Sequence, residues 1–385
     1  VKVLHAVTLH TPTNDFGGPT RVALNLSRGL RRRGVDARIT ALGDRFDGPL
    51  PDTVEGVPAW LYQARHVLPA FEVSGITSPA LLARAHRMVK GADVVHVHLM
   101  RDLITLPIAL IALRCGTPLV LQTHGMIDPT EKRVAQLVDV LGLRKVLREA
   151  DAVLHLTEME REDVAAVIAP DPLRHTHRLV NGVQPQERRP AATGDRPPTV
   201  LYLARVQARK RPEDFISAMP VVLAKYPEAR FVLAGPDTGP LADEMLALAA
   251  RLGVADSVEY VGPLGHTEVL EQLRRSDVYV LPSVVEPFAV SILEAMSVGL
   301  PVVVTKTGGL SPDVAAAGAG RVVDSRPDAD NGPLVGQAIL ELLDPAANAE
   351  ASGAAHRLIH DKFSIDAVVE ELHGVYEGVI ARHGR

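Results

Sequence analysis

The stretch Glu286-Pro287-Phe288-Ala289-Val290-Ser291-Ile292-Leu293-Glu294 runs on through Ala295-Met296-Ser297-Val298-Gly299-Leu300-Pro301-Val302-Val303, and it decides how the rest of the chain reads. Two carboxylates stand eight residues apart across a strand–loop–helix junction, and a buried strand follows. Pro287 suits the first turn of a helix, where a missing N–H costs nothing. The spacing predicts a helix from there that carries Phe288, Ile292, Leu293 and Met296 inward. At ~1.5 Å rise per residue, the two carboxylates are expected on the order of 12 Å apart. That exceeds the roughly 5–9.5 Å of a glycosidase acid/base pair. Such carboxylates are placed to grip two ends of an extended ligand, with the free N–H groups of the helix start turned toward an anion. An ordinary amphipathic helix with two surface glutamates fits the same letters, so the remainder of the chain must decide.

Outward from this segment, strand-like and helix-like runs alternate. Predicted strands cover Lys2–Leu9, Asp36–Leu42, Val94–His98, Pro118–Thr123, Ala152–Leu156, Thr199–Ala204, Arg230–Ala234, Val258–Val261, Val278–Leu281 and Pro301–Thr305. Several are continuous Val/Leu/Ile runs, the mark of parallel strands buried on both faces. Helices between them give β-α-β crossovers. A seam interrupts the pattern: Asn181-Gly182-Val183 leads into a polar, proline-rich piece that reads as a linker over 184–198. Two Rossmann-type domains follow from this, 1–183 and 199–365, with a helical segment Ile365–Ile380 at the end. Sheets of this kind bind ligands beyond the carboxyl ends of their strands, at a switch point in strand order.

Composition narrows the classes. At 385 residues and 46% hydrophobic content the chain suits two domains with sizeable cores. A net charge of −5 argues against a general nucleic-acid binder. The single cysteine, Cys115, forbids an intrachain disulfide and reads as a small core residue. Val1–Val7 reads as a first strand rather than a signal peptide. The longest apolar run, Leu103–Leu113, contains Pro107 and is too short to span a bilayer. Arg28 and Arg31-Arg32-Arg33 offer cations to an anionic membrane, but they also end a helix before Gly34, which is the plainer reading. Peripheral membrane contact stays open, no transmembrane segment is expected, and a cytoplasmic location is the expectation.

The polar motifs fall at strand ends. A loop from His10 to Pro19, with Asp15 and the pair Gly17-Gly18, precedes a helix near Thr20; paired glycines let backbone amides approach a phosphate there. A plain turn fits too. The fingerprint G-x-G-x-x-G is absent, which counts against a dehydrogenase. Arg205 ends a strand and Lys210 opens the next helix, a spacing that suits a diphosphate whose charge grows as it leaves. Arg209 rivals Lys210, and a solvated basic loop is the bland alternative. Gln122-Thr123-His124-Gly125 closes a strand, and His124 is either a contact to a hydroxyl or a satisfied core histidine. His98 is expected to line an acceptor cleft, with His96 on the opposite face in a structural role. Asp102, Glu158, Glu160 and Asp163 are further acids for a cationic acceptor, though solvated helix positions explain them as well. Metal motifs are weak: Asp328-Ala329-Asp330 reads as a surface loop and His175-Thr176-His177 lacks a third ligand. No G-x-S-x-G nucleophile signature appears.

The Glu286…Glu294 segment resembles the E-x7-E signature of retaining glycosyltransferases of the GT-B fold, most closely family 4. Arg205…Lys210 is similar to that family's Arg…Lys pair, with Ala204 in place of its glycine, and His124-Gly125 and Gly17-Gly18 match its strand-end and N-terminal loop motifs. The resemblance extends over nearly the whole chain. It implies an α/β protein of two Rossmann-like domains with parallel sheets facing across a cleft, with 366–385 packing back on the N-terminal one. Further implied are Glu294 on ribose hydroxyls, and Glu286, Phe288, Ala289 and Val290 along the donor sugar. Arg205 and Lys210 fall on the diphosphate and His124 near the reaction centre. Ala289 stands where the family usually has glycine, and its methyl group either narrows the donor pocket or shifts the sugar slightly. Asp313 lies one position beyond the family's usual acid after Gly308-Gly309 and is given no role. By the same analogy the donor is a UDP-sugar, no metal cofactor is required, and transfer proceeds by front-face displacement with retention. The acceptor is expected to be a small hydrophilic hydroxyl compound, such as an aminocyclitol or a cell-envelope glycoside precursor. The Ala- and Arg-rich style fits a high-GC bacterial source. Other readings are a GT-B sugar-nucleotide epimerase or glycogen-synthase-like polymerase, and a non-enzymatic two-lobed binding protein.

Overall fold

The structure, a computed structural model, describes residues 1–12, 18–190, 196–237, 239–284, 286–326 and 328–384. The chain divides into two compact units: Val1–Gly182 with Ile365–Arg385, and Val183–Ser364.

The first unit contains β1 (Lys2–His10), β2 (Asp36–Gly43), β3 (Thr53–Val54), β4 (Val57–Gln63), β5 (Arg65–His66), β6 (Ile76–Thr77), β7 (Val94–His98), β8 (Leu119–Gln122), β9 (Ala152–His155) and β10 (Thr176–Arg178). Eight of these form one sheet in the order β10-β9-β8-β7-β1-β2-β4-β3, and β5 pairs with β6 separately. All neighbours in the large sheet are parallel except β3 and β4. The strand order reverses at β1, so the crevice falls outside the carboxyl ends of β1 and β7. Strands such as Val94–His98 are buried on both faces, as parallel strands under helices must be. The final helix, Ile365–Arg382, lies against the first, Gly18–Arg32, with Gly29 at their closest approach: a Cβ there would meet Val369 Cγ2 at 2.4 Å. The arginines that end the first helix are spent on this contact and on the next strand. Arg32 pairs with Asp366 at 2.8 Å, Arg33 with Glu370, and Arg31 with Asp36 at 3.5 Å. The basic run thus lies at the helix end before Gly34, with its charges paired to neighbouring elements.

The second unit contains β11 (Thr199–Leu203), β12 (Arg230–Ala234), β13 (Val258–Gly262), β14 (Val278–Leu281), β15 (Val302–Thr305) and β16 (Gly320–Val323), all parallel, in the order β13-β12-β11-β14-β15-β16. Its switch point lies between β11 and β14. The polar stretch read as a linker is partly structural. Arg189 is buried and donates to Asn348 Oδ1 at 2.7 Å, with Asp277 3.7 Å away, and its backbone N–H donates to Val298 O at 2.8 Å.

Two expectations are corrected here. The helix after Glu286 spans Val290–Ser297, so Pro287 and Phe288 lie in the loop before it. The reason is backbone pairing: the Glu286 carbonyl accepts from Gly309 N–H at 2.8 Å, which holds the segment open. The helical rise therefore does not measure the carboxylate separation. His96 also shares a face with His98, because strand side chains alternate with period two; their rings stack 4.6 Å apart at 9°. Among the described residues no helix is long and apolar enough to cross a membrane.

Candidate active site

In the second unit the loops after β11, β14 and β15 are stitched together by their backbones. Val284 N–H donates to Arg209 O at 3.0 Å across the switch point, and Gly309 N–H holds the Glu286 carbonyl. Gly235 follows β12 at φ 130°, where a Cβ would stand 1.9 Å from Ala204 O; no other residue permits that approach. These loops enclose an open cavity of ≈ 620 Å³, lined among others by Arg205, Lys210, Glu286, Phe288, Ala289, Val290 and Glu294. One concave site thus gathers seven of the residues the sequence singled out.

Lys210 is held in place from behind. Arg211 has a left-handed backbone, φ 52°, which an L-residue adopts at a cost. Its guanidinium grips buried Asp214 through two bonds of 2.9 Å and donates to Ala329 O at 2.7 Å. Asp214 in turn accepts from the backbone and side chain of Asn331, each at 3.1 Å. The sharp turn this fixes presents Lys210 before the helix Pro212–Leu223 begins. The Lys210 ammonium makes an ion pair with Glu286, and the two side chains are only 13% and 9% exposed. An ammonium has three N–H donors, so pairing with one carboxylate leaves donors for a second anion. Arg205 is exposed at the rim. Beneath the site, Tyr279 donates to Leu203 O at 3.0 Å and meets Ser291 Oγ at 2.8 Å, tying β14, β11 and the helix start together. Burial pushes its hydroxyl pKa up. Asp313 lies outside this cavity; it is buried and accepts from Lys362 Nζ at 2.5 Å.

The first unit places a cluster of imidazoles at its crevice end. His124 has φ 53° and Gly125 φ 70°, a left-handed pair that turns the chain sharply after β8. Glu160 holds this turn: it accepts from Thr123 Oγ1 at 2.5 Å, Gly125 N–H at 2.6 Å and Leu156 N–H at 2.6 Å. Behind His124 runs a chain of rings. His124 Nε2 meets His98 Nδ1 at 2.7 Å, and His98 Nε2 meets His5 Nδ1 at 3.1 Å. Tyr376 Oη joins His96 Nδ1 at 2.6 Å and His5 Nε2 at 3.5 Å. Burial lowers the pKa of His5 and of His124 to about 3. Burial first, and neighbouring imidazoles second, hold His98 well below its usual range; His96 is lowered in the same way. All four rings are therefore neutral near pH 7.

This overturns the expected acceptor contact from His98, which is fully buried with both ring nitrogens engaged. Asp102 is likewise committed, accepting from Thr8 Oγ1, from the backbone N–H groups of Ile104 and Thr105, and from Thr105 Oγ1. Gly18 is exposed at the start of the first helix, which Thr20 Oγ1 ties to Leu9 O at 2.7 Å. Asp15 and Gly17 lie outside the described residues. Asp330 accepts from Gly332 N–H at 2.9 Å at a helix start. His5, His96 and His98 are the one group of three metal-ligand side chains brought together among the described residues, with nitrogens within 4.8 Å of one another. Sequence reasoning missed His5, Tyr376 and the supporting role of Glu160. For Glu160 a signal existed: Thr157-x-x-Glu160 has the form of a helix cap, and Thr157 Oγ1 does accept from Glu160 N–H at 3.2 Å.

Two doubly wound units, each with its polar side chains at a switch point, define the GT-B class of α/β protein. Solved structures of that architecture agree with it along the whole chain. HepE of Anabaena, in a complex with UDP, covers 98% of this chain and 100% of its own at TM-score 0.73 and 17% identity. Sucrose-phosphate synthase of Thermosynechococcus elongatus covers 99% and 100% at TM-score 0.70 and 18% identity. The family described as "Glycosyl transferase 4-like domain" matches residues 17–179, and "Glycosyl transferases group 1" matches residues 183–341. The chain belongs to the group 1, family-4-like glycosyltransferases. Among its relatives, D-inositol 3-phosphate glycosyltransferase 2 of Catenulispora acidiphila is 29% identical, over 83% of this chain and 81% of its own. D-inositol 3-phosphate glycosyltransferase of Streptomyces scabiei is 28% identical, over 99% and 91%.

Proposed function

We propose that the protein transfers a hexosyl or aminohexosyl group from a UDP-sugar to a hydroxyl of a small hydrophilic acceptor, with retention at the anomeric carbon. The observation that carries this reading is the cavity at the β11/β14 switch point, where Arg205 and the Glu286-paired Lys210 stand beside the start of the helix Val290–Ser297. Two cations, Lys210 held by Glu286 and Arg205 at the rim, together with the helix-start N–H groups match a diphosphate, whose charge rises as the glycosidic bond breaks. Glu294, one helical turn further in, takes the ribose hydroxyls, and Phe288, Ala289 and Val290 line the donor sugar. With cations in these positions the diphosphate is neutralised without a metal ion. His124 supplies a neutral ring nitrogen to a sugar or acceptor hydroxyl. The acceptor oxygen bonds to C1 as the C1–phosphate bond breaks on the same face, and the hydroxyl proton passes to the departing phosphate oxygen. The named relatives support a polyhydroxylated cyclitol as the acceptor class.

Calorimetric titration with UDP, GDP and ADP, with and without EDTA, tests the donor side. Tight UDP binding that EDTA leaves unchanged is the expected result. Preference for another nucleotide corrects the donor, loss of binding in EDTA removes the metal-independent mechanism, and no binding of any nucleotide to folded protein overturns the reading. NMR of the product's anomeric centre reads the stereochemistry directly.

A further inference from the structure

The helix covering 133–149 is not a regular one. Its middle, Asp139–Leu143, widens into a π-turn between two α-helical segments. The cause is legible in its contacts. Asp139 is drawn inward to Arg101 at 2.8 Å, and Gly142 packs where a Cβ would press on Leu110 at 3.1 Å. The extra residue leaves Val140 and Leu141 facing out together. With Val134 and Leu137 they form a row of four large apolar side chains, 53–74% exposed. Val67, Leu68 and Phe71, from the segment between β5 and β6, are 43–49% exposed. The two groups meet at an apolar groove of ≈ 230 Å³ lined by Leu68, Phe71, Val134 and Leu141. A joined apolar surface of this kind marks a docking face rather than scattered exposure.

The charges around it select the partner. Lys132, Arg133, Arg144, Lys145 and Arg148 are all exposed, and Asp139, buried on Arg101, is the single acid between 132 and 148. Arg148 pairs with Asp171 at 2.7 Å; Glu131 and Glu149 bound the segment. This concentration of positive charge stands on a chain whose net charge is −5. Two copies meeting through this face would bring their cations together. An anionic lipid surface satisfies both features at once, since apolar side chains enter the headgroup boundary while flanking lysines and arginines meet lipid phosphates.

We propose that this face, formed by the 133–149 helix and the 67–71 segment, docks the enzyme on an anionic bilayer. The inference does not depend on the donor or acceptor assigned above. It is tested by sedimenting the intact protein with vesicles of phosphatidylcholine alone and of phosphatidylcholine mixed with phosphatidylglycerol. The protein is expected to bind the mixed vesicles, and binding should weaken with added salt. A Leu137→Glu/Leu141→Glu variant should lose at least about tenfold in partitioning, because the charges must leave the apolar layer. An Arg144→Glu/Lys145→Glu variant, which leaves the apolar row intact, should lose about fivefold for each cation removed. It keeps the test alive if the first variant fails to fold. Absence of vesicle binding by the wild type, or unchanged binding in a folded variant, overturns the proposal. So does a concentration-dependent dimer that Leu141→Glu disperses, in protein that ignores vesicles; the face would then be a self-association surface.

Discussion

The two units solve the same topological problem with opposite chemistry. Each is a largely parallel sheet whose strand order reverses near the middle, and each gathers polar side chains just beyond that reversal. In the second unit these side chains are charged: Arg205 at the rim, and Lys210 against Glu286, both largely buried, at the wall of an open cavity. In the first unit the corresponding place holds imidazoles that burial keeps neutral. A charged pocket suits a ligand that carries and gains charge, such as a diphosphate. Neutral rings with fixed donors and acceptors suit hydroxyls, which must be oriented rather than neutralised. The proposed division of labour between donor phosphate and reacting hydroxyl rests on what each sheet places at its switch point.

The most severe test of this division is Lys210→Ala. It removes the proposed diphosphate cation and strands Glu286 without its partner, a change that costs roughly 3–5 kcal/mol when one member of a buried pair is lost. Turnover should fall by on the order of 10³-fold, the scale for removing a preorganised charge partner, and UDP affinity should fall with it. If calorimetry finds UDP affinity untouched, the charged crevice is not the phosphate site. Glu286→Gln is the companion, since it keeps shape and releases the lysine; recovery of UDP binding without recovery of turnover would separate charge binding from sugar positioning.

His124→Ala should break the comparison from the other side. Turnover is expected to drop roughly 10²-fold, as for loss of a positioned polar group near the reacting atoms, while UDP binding stays within a factor of two or so of wild type. Equal losses of nucleotide affinity in His124→Ala and Lys210→Ala would collapse the distinction between the two crevices.

How much of this was readable without coordinates depended on how local the cause was. Val94–His98, Arg230–Ala234 and Val278–Leu281 matched their strands end for end, because a continuous apolar run has no other stable home in an α/β protein. The strand Val57–Gln63, second from the sheet edge, escaped, since Pro58 interrupts its apolar run and most of its side chains are partly buried or exposed. The late start of the Val290 helix was also invisible: Pro287 permits a helix, and only the distant Gly309 N–H shows why it does not begin there. Most of the charged site was legible, because its residues sit on two short motifs. The imidazole chain was not, because His96 and Tyr376 meet across 280 residues of sequence. No local pattern announces that kind of contact.

The neutral rings also make a pH prediction. The His5 pKa is depressed from 6.5 to about 3 by burial, and His96 and His98 are lowered as well. The unfolded chain takes up protons below pH 6.5 while the folded one does not. The stability these rings allow is fully present above about pH 6.5 and is lost as pH falls toward about 3. The slope reaches about 1.4 kcal/mol per pH unit for each ring. Urea unfolding from pH 7 to pH 4.5 should show a steep loss, shallower in His5→Gln. A wild-type stability flat across that range would mean the rings are not held neutral.

The smallest expected effect belongs to Tyr376→Phe, and it decides whether the ring chain is wiring or packing. Each neutral imidazole has one donor and one acceptor, so the chain must run in one sense. Taking the Tyr376 hydroxyl as donor in its 2.6 Å contact to His96 Nδ1 sets the sense of the chain. The Tyr376 oxygen then accepts from His5 Nε2–H, His5 Nδ1 accepts from His98 Nε2–H, and His98 Nδ1 accepts from His124 Nε2–H. His124 is left with Nδ1 as an acceptor for a ligand hydroxyl. Removing one oxygen from the last helix should cost about 1–3 kcal/mol, the penalty for buried groups left unpaired. It should also free the rings to reverse sense. Nitrogen-15 shifts of His124 would then report a mixture of tautomers where the wild type shows one, and turnover should fall a few-fold with UDP affinity unchanged. A variant that loses stability but keeps a single His124 tautomer would reduce the chain to packing.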